Sequence, residues 1–197
     1  MYIMTEYLNA LNYRVERLAQ AQVQLARELI IKEHYSGTVG RSYSRVYGLF
    51  CETQLVGASW WLPPSMPDAK SIALKYGLNW KRLLGLSRLV VASGQPQNAA
   101  SYLIGRSIRL LKQEQFFECL VTYADTWRGH SGAIYKATNW TYLGETKPSP
   151  VWWNDKLQKT RANRNGSVPV TEDEMARDGF RLLGRYSKHK FVFLLSS

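Results

Sequence analysis

Between Leu84 and Ala124 the sequence runs from an apolar stretch, LGLSRLVVA, through a polar turn, Ser93-Gly94-Gln95-Pro96-Gln97-Asn98, into a helix and out to a second apolar stretch, CLVTYA. The helix carries apolar residues at Ala100, Leu103, Ile104, Ile108 and Leu111, spacings that put them on one stripe. Strand, helix and strand in such close order direct the chain to a mixed α/β fold.

The flanking segments extend this pattern. Arg14 to His34 has helical periodicity, with Val15, Leu18, Leu25 and Leu29 on one stripe and Ala19, Ala26 and Ile30 beside it, stopping near Ser36-Gly37. Val46–Cys51 and Leu55–Leu62 form a predicted hairpin across Glu52-Thr53-Gln54, ended by Pro63-Pro64. Residues 65–82 read as a loop or short helix. Gly132–Asn139 reads as a short helix, Thr141–Gly144 as the start of a strand and Lys190–Leu195 as the last strand. Residues 147–178 read as an irregular excursion, with Lys147-Pro148-Ser149-Pro150, a Trp152-Trp153 pair and an acidic Glu172-Asp173-Glu174. A chain of 197 residues suits one domain, here with insertions at about 63–82 and 147–189.

Charge narrows the partners. Lys and Arg number 26 against 15 Asp and Glu, a formal +11, which attracts polyanions and makes nucleic acid the expected partner over a merely solvated basic surface. Lys156, Lys159, Arg161 and Arg164 form one basic run, and Arg185, Lys188, His189 and Lys190 another, both suited to phosphate. Trp127, Trp152 and Trp153 offer faces for stacking on an extruded base or replacing it, with Arg128 beside them. Cys51 and Cys119 each sit in an apolar run and read as small buried hydrophobes, not a disulfide framework or metal site. The N-terminus MYIMTEYLNALN lacks the basic and apolar regions of a leader, and no apolar run is long enough for a bilayer. A cytoplasmic location without membrane contact is therefore expected.

Three segments carry chemistry. Val91 leads into the small-residue turn and a helix start at Gln95, Gln97, Asn98, Ala99, Ala100 and Ser101, where backbone N–H groups and the helix dipole suit phosphate. Tyr123–Gly144, YADTWRGHSGAIYKATNWTYLG, ends a strand at Asp125 and presents Tyr135 on the helix that follows, a phenol suited to general-acid work. His34-Tyr35, together with Asp125, supplies an imidazole, a phenol and a carboxylate, donors a transition metal such as iron accepts; His34 as a cation at the helix C-terminus is the competing reading.

The order of elements resembles that of GCN5-related N-acyltransferases (GNAT). The expected fold is a mixed, mostly antiparallel sheet flanked by helices, with a C-terminal excursion. The resemblance implies that residues 91–101 cradle coenzyme A pyrophosphate, with acetyl-CoA or a related acyl donor as cofactor, and that Tyr135 protonates the departing thiolate. The usual glycines of that turn are replaced by Asn98-Ala99-Ala100. In wording, IKEHYSG near residue 34, SRLVVA and the Tyr123–Gly144 segment resemble the Mom family of Mu-like phages, over roughly residues 5–150.

That likeness implies conversion of adenine in double-stranded DNA to an N6-carbamoylmethyl derivative, protecting phage DNA from host restriction. The adenine would be flipped out of the duplex. It also implies iron at His34, Tyr35 and Asp125, with Ser87 and Arg88 placing donor or substrate. A plain acetyl transfer does not account for a methylene on nitrogen. Two alternatives stand beside it: an acetyl-CoA-dependent N-acetyltransferase of a small amine or protein, and a non-catalytic basic DNA-binding module.

Overall fold

The computed structural model describes residues 12–161, 163–165 and 168–195; most of the N-terminal stretch read above for a leader lies outside them. Strand β1 (Tyr13–Arg17) is followed by helix α1 (Gln20–Glu33), the hairpin β2 (Arg45–Cys51) and β3 (Gln54–Leu62), and α2 (Met66–Tyr76). Then come β4 (Leu83–Val91), α3 (Ala99–Glu114), β5 (Cys119–Asp125), α4 (Ala133–Ala137) and β6 (Thr141–Glu145). The C-terminal part holds β7 (Ser149–Asn154), β8 (Lys159–Arg161), β9 (Arg164–Asn165), β10 (Val168–Pro169), α5 (Glu172–Arg177), β11 (Arg181–Tyr186) and β12 (Lys188–Leu194).

Seven strands form one sheet in the order β1-β2-β3-β4-β5-β12-β6. Neighbours run antiparallel except β4 and β5, whose helical crossover, α3, makes that pair parallel. Period-two alternation sorts the side chains onto two faces. Tyr47, Trp61, Leu84 and Leu120 pack with α3 residues Leu103, Ile104 and Leu111, whereas Val46 and Trp60 pack with α1 residues Ala26 and Ile30. On that second face Leu83, Cys119, Val121 and Val192 cover α2 through Ala69, Ile72 and Ala73. Cys119 is buried and apolar in its surroundings, as expected, and Cys51 is half-buried.

The first expectation to fail is the helix beginning at Arg14. Tyr13–Arg17 is an edge strand on β2, from Tyr13↔Cys51 to Arg17↔Tyr47. Its apolar residues Tyr13 and Val15 alternate, and both pack on the α3 side of the sheet; a two-residue period was folded into a longer helical one. The helix starts only where Gln22 Oε1 accepts from the Ala19 N–H, at 2.9 Å. Its buried face is Val23, Ala26 and Ile30, and Leu25, assigned to the stripe, is 54% exposed.

The second concerns 147–178, whose described residues form regular elements. A three-stranded sheet, β11-β7-β8, packs Trp152 against Met175 of α5 and Phe180. The Trp pair is thereby split by strand alternation: Trp152 is core to this small sheet, and Trp153 faces the other way, toward Trp127 at 6.0 Å. Within 65–82, Ser65 caps α2 by accepting from the Asp68 N–H, and Lys190 of β12 reaches Asp68 at 2.6 Å.

Gly132, just before α4, has φ +71°, and a Cβ there would stand 2.3 Å from Phe191 Cζ. Phe191 is fully buried. Gly132→Ala is therefore expected to cost on the order of 3 kcal/mol, combining left-handed backbone strain with overpacking. A fall in the urea midpoint at unchanged slope measures it; an unshifted midpoint contradicts it.

Candidate functional site

β4 and β5 pair only from Leu83↔Cys119 to Leu86↔Thr122. Beyond that point β4 stays with β3 as far as Gly57↔Val91, and β5 stays with β12 as far as Lys188↔Asp125. The two strands thus splay, each held by its outer neighbour. A bulge assists: Trp60 pairs with Arg88 and Trp61 with Leu86, so Ser87 is an extra residue on β4. Leu84 and Leu86 consequently face α3, while Val90 faces α1. Between the splayed ends lies a cavity of about 390 Å³, lined by Ser87, Arg88, Tyr123, His34, Tyr35 and Tyr135 among others.

His34 is the C-cap of α1 with extended backbone, and this exit from the helix brings its ring to 4.2 Å from that of Tyr35, both lining the cavity. Ser36 N–H donates to His34 Nδ1 at 3.2 Å, and Ser36 Oγ stands 2.8 Å from the same nitrogen and 3.1 Å from Thr38 O. A backbone donor on Nδ1 leaves the lone pair there and puts the hydrogen of the neutral ring on Nε2, an assignment from the network. Burial and the nearby Arg88 guanidinium lower the imidazole to about 4. His34 is therefore neutral near pH 7, which removes the reading of it as a cation on the helix end.

The Tyr35 hydroxyl donates to Asp125 Oδ2, and Lys188 Nζ stands 2.8 Å from Asp125 Oδ1. Burial pushes the Asp125 carboxyl up, but Lys188, Tyr35 and Arg88 outweigh it and hold it below the usual range. Burial, then Asp125, raise the Tyr35 phenol, which stays protonated. Arg88 Nε–H donates to Thr38 O at 2.8 Å and Nη1–H to Ser87 O at 2.8 Å, fixing the guanidinium between β4 and the segment after α1. Tyr135 is buried between Trp140 (5.6 Å) and Phe191 (5.3 Å), and burial raises its phenol against a hydrogen bond from Thr122.

Beside the cavity rises an aromatic tier. Trp127 lies 6.0 Å from both Tyr35 and Trp153, and the Arg128 guanidinium carbon is 4.4 Å from the Trp127 ring and 5.3 Å from that of Trp153. Arg128 Nη2–H donates to Tyr35 O at 3.3 Å, and His130 stacks edge-on against Tyr35 at 5.1 Å. The small sheet docks here as well, through Thr160 N–H to Ser36 O.

The predicted catalytic residues His34, Tyr35, Ser87, Arg88, Asp125 and Tyr135 thus converge, with Asp125 joined through its bond to Tyr35. The predicted donor turn follows the C-terminal end of β4 and does not line the cavity. There Asn98 gives no side-chain cap to α3, Ser101 Oγ–H bonds back to Asn98 O at 2.8 Å, and Tyr13 donates to Gln95. The first-turn amides at Ala99, Ala100 and Ser101 follow Gln97 in a turn whose Gly94 has open space around it.

The basic runs divide. Lys156 and Arg185 are exposed and Lys159 is half-buried, but Arg161 is paired with Asp178, and only the backbone of Arg164, in β9, is described. Lys188, His189 and Lys190 stand against Asp125, Glu145 and Asp68, because β12 runs beside acid-bearing strands and under α2. The expectation that this second run is free for phosphate is thereby corrected. Sequence reasoning missed Ser36 and Thr38, which orient His34 and Arg88, and took Lys188 for a surface cation. The run His34-Tyr35-Ser36-Gly37-Thr38 contained the signal, a hydroxyl two residues from an imidazole.

Among the described residues no three or more His, Cys, Asp and Glu side chains cluster to hold a metal ion; one imidazole, one phenol and one carboxylate converge. No helix among them is long and apolar enough to cross a membrane.

A family model described as the Mom protein family matches residues 14–196, carrying the resemblance through the small sheet to the last strand. No curated protein matches the chain by sequence. Solved structures share the fold at low identity. An arylalkylamine N-acetyltransferase-like protein from mosquito superposes with TM-score 0.57 at 11% identity, over 92% of this chain and 99% of that one. An N-acetyltransferase from Staphylococcus aureus Mu50 gives 0.55 at 12%, over 94% and 99%. A putative acetyltransferase from Salmonella typhimurium, solved with its cofactor acetyl-CoA, gives 0.55 at 10%, over 94% and 95%. The mixed, mostly antiparallel sheet flanked by helices is therefore of the GNAT type.

Proposed function

We propose that this chain, which belongs to the Mom protein family, is a transferase that modifies the N6 amino group of adenine in DNA, with a carbamoylmethyl-type product. The observation that carries the reading is the meeting of a neutral imidazole, a carboxylate-held phenol and a buried phenol at the splayed strands, with aromatic and guanidinium groups beside them. A base inside a duplex reaches such a site only by leaving the stack, and Trp127 and Trp153 offer faces for an unstacked base or for the gap it leaves.

The proton inventory on the acceptor side is simple. When the amino nitrogen forms its bond to carbon it loses one proton, and the neutral His34 imidazole, which lines the cavity, is the base that takes it. Asp125 orients Tyr35 beside that nitrogen, and Tyr135 has a proton for a departing group on the donor side. Arg88 and Lys188 balance negative charge that develops between them. On the donor side, the uncapped first turn of α3 and the open turn before it favour an anionic cofactor segment.

His34, Tyr35 and Asp125 fit iron in donor kind, and these three would hold it. Iron there would supply Lewis-acid or redox chemistry. Binding would require the Tyr35–Asp125 hydrogen bond to give way.

Mass spectrometry of nucleosides from plasmid DNA carried by cells expressing the chain tests the reading. A new deoxyadenosine derivative is expected, absent with His34→Ala. Unmodified deoxyadenosine from folded protein, with acetyl transfer to a small amine in the absence of DNA, would instead establish an N-acetyltransferase. Salt-sensitive DNA binding with no altered nucleoside and no transfer would leave a binding module.

A further inference from the structure

A second cavity, of about 260 Å³, lies where the small sheet meets the main one, and Tyr35, Arg88 and Asp125 form its boundary with the catalytic groups. It is smaller than the ~300 Å³ at which pockets for drug-sized ligands begin, and suits a single ring system. Its walls combine Tyr35 and Trp127 with the amide of Asn163 from the loop after β8. Asn163 Nδ2–H donates to Pro150 O at 2.9 Å, which fixes the amide so that Oδ1 points away from that carbonyl. The loop itself is anchored by Val170 N–H donating to Asn163 O at 2.9 Å. Asn163 Oδ1 is buried and has no hydrogen-bond partner among the described residues.

A buried acceptor without a donor carries a desolvation cost that a ligand N–H removes. Resting on the proposed action on DNA bases, we infer that this cavity receives the extruded base and that Asn163 is its specificity-determining residue, accepting from an exocyclic amino group. Adenine and cytosine carry an amino donor at the matching edge, whereas guanine and thymine carry a carbonyl oxygen there. Two facing acceptors repel, so the amide rejects keto bases as well as welcoming amino ones. The flanking aromatic rings hold whichever ring system enters, without reading its edge.

The test uses the full-length protein and duplexes with one extrudable base opposite an abasic site, carrying adenine, unsubstituted purine or hypoxanthine, read by fluorescence anisotropy. The wild type is expected to prefer adenine over hypoxanthine by about tenfold, with purine between. Asn163→Leu should abolish that ratio. Asn163→Asp removes the bond to Pro150 but keeps an acceptor, and should preserve it. Loss of the ratio in Asn163→Asp as well would assign the effect to the Pro150 bond and overturn the inference. So would a wild type that binds all three duplexes alike, which leaves action on DNA standing. No binding of any duplex overturns both.

Discussion

Asp125→Ala is expected to reduce adenine modification by about 10²–10³-fold, the scale of removing a preorganised polar group at a reacting centre. The carboxylate accepts from Tyr35 on one oxygen and faces Lys188 on the other, at 2.8 Å. Without it the phenol loses its orientation, and two cations, Lys188 and Arg88, are left beside a buried hydroxyl. Asp125 is mostly buried but Lys188 is 44% exposed, so solvent screens part of the imbalance and the stability loss should be about 1–2 kcal/mol. Asp125→Asn retains an acceptor for Tyr35 and should recover stability more than activity. Nucleoside yield per enzyme and urea unfolding separate the two effects. Near-wild-type yield from Asp125→Ala would remove the residue from the machinery.

The second large effect belongs to His34. His34→Gln should lower the rate by about 10²–10⁴-fold, the usual contribution of a positioned base, while leaving DNA affinity within about twofold. The imidazole is held at about 4, below its ordinary 6.5, so the wild-type rate should stay level from neutrality down to about pH 5 and fall toward pH 4. Stability follows the same sign. Between those two values the unfolded chain binds the proton and the folded one does not, so stability rises with pH across this window and is lost as pH falls through it. The loss at its lower end is on the order of 2 kcal/mol after allowing for partial exposure. Asp125, also depressed, acts in the same direction at lower pH. A rate that drops already near pH 6.5, or an acid limb unchanged in His34→Gln, contradicts the assignment.

Much of the central fold was legible because its signals are local. The β2–β3 hairpin, β4, the α3 stripe and β5 are each written in one contiguous pattern, and Asp125 and Tyr135 follow from where β5 ends and α4 begins. The failures share another cause. Tyr13 and Val15 read as helical until β2 supplies the partner that makes their alternation meaningful, a fact more than thirty residues away. Lys188 reads as a phosphate contact until strand pairing puts it opposite Asp125. Trp152 and Trp153 look equivalent in sequence, and only the burial of Trp152 on Met175 and Phe180 tells them apart. The convergence of His34 with Asp125 came from family resemblance, because 91 residues and the five elements β2, β3, α2, β4 and α3 separate them.

The small sheet leaves the main one at Glu145 and returns at Lys188, and Glu145 lies directly across from His189 in the β6–β12 ladder. Its two stems are therefore neighbouring rungs, about 5 Å apart. A segment hinged on so narrow a base can be lengthened, trimmed or exchanged without disturbing the strands that shape the donor side. Evolution can retune the proposed base cavity while the groups on the main sheet stay as they are, and grafting residues 147–187 between relatives is the engineering counterpart.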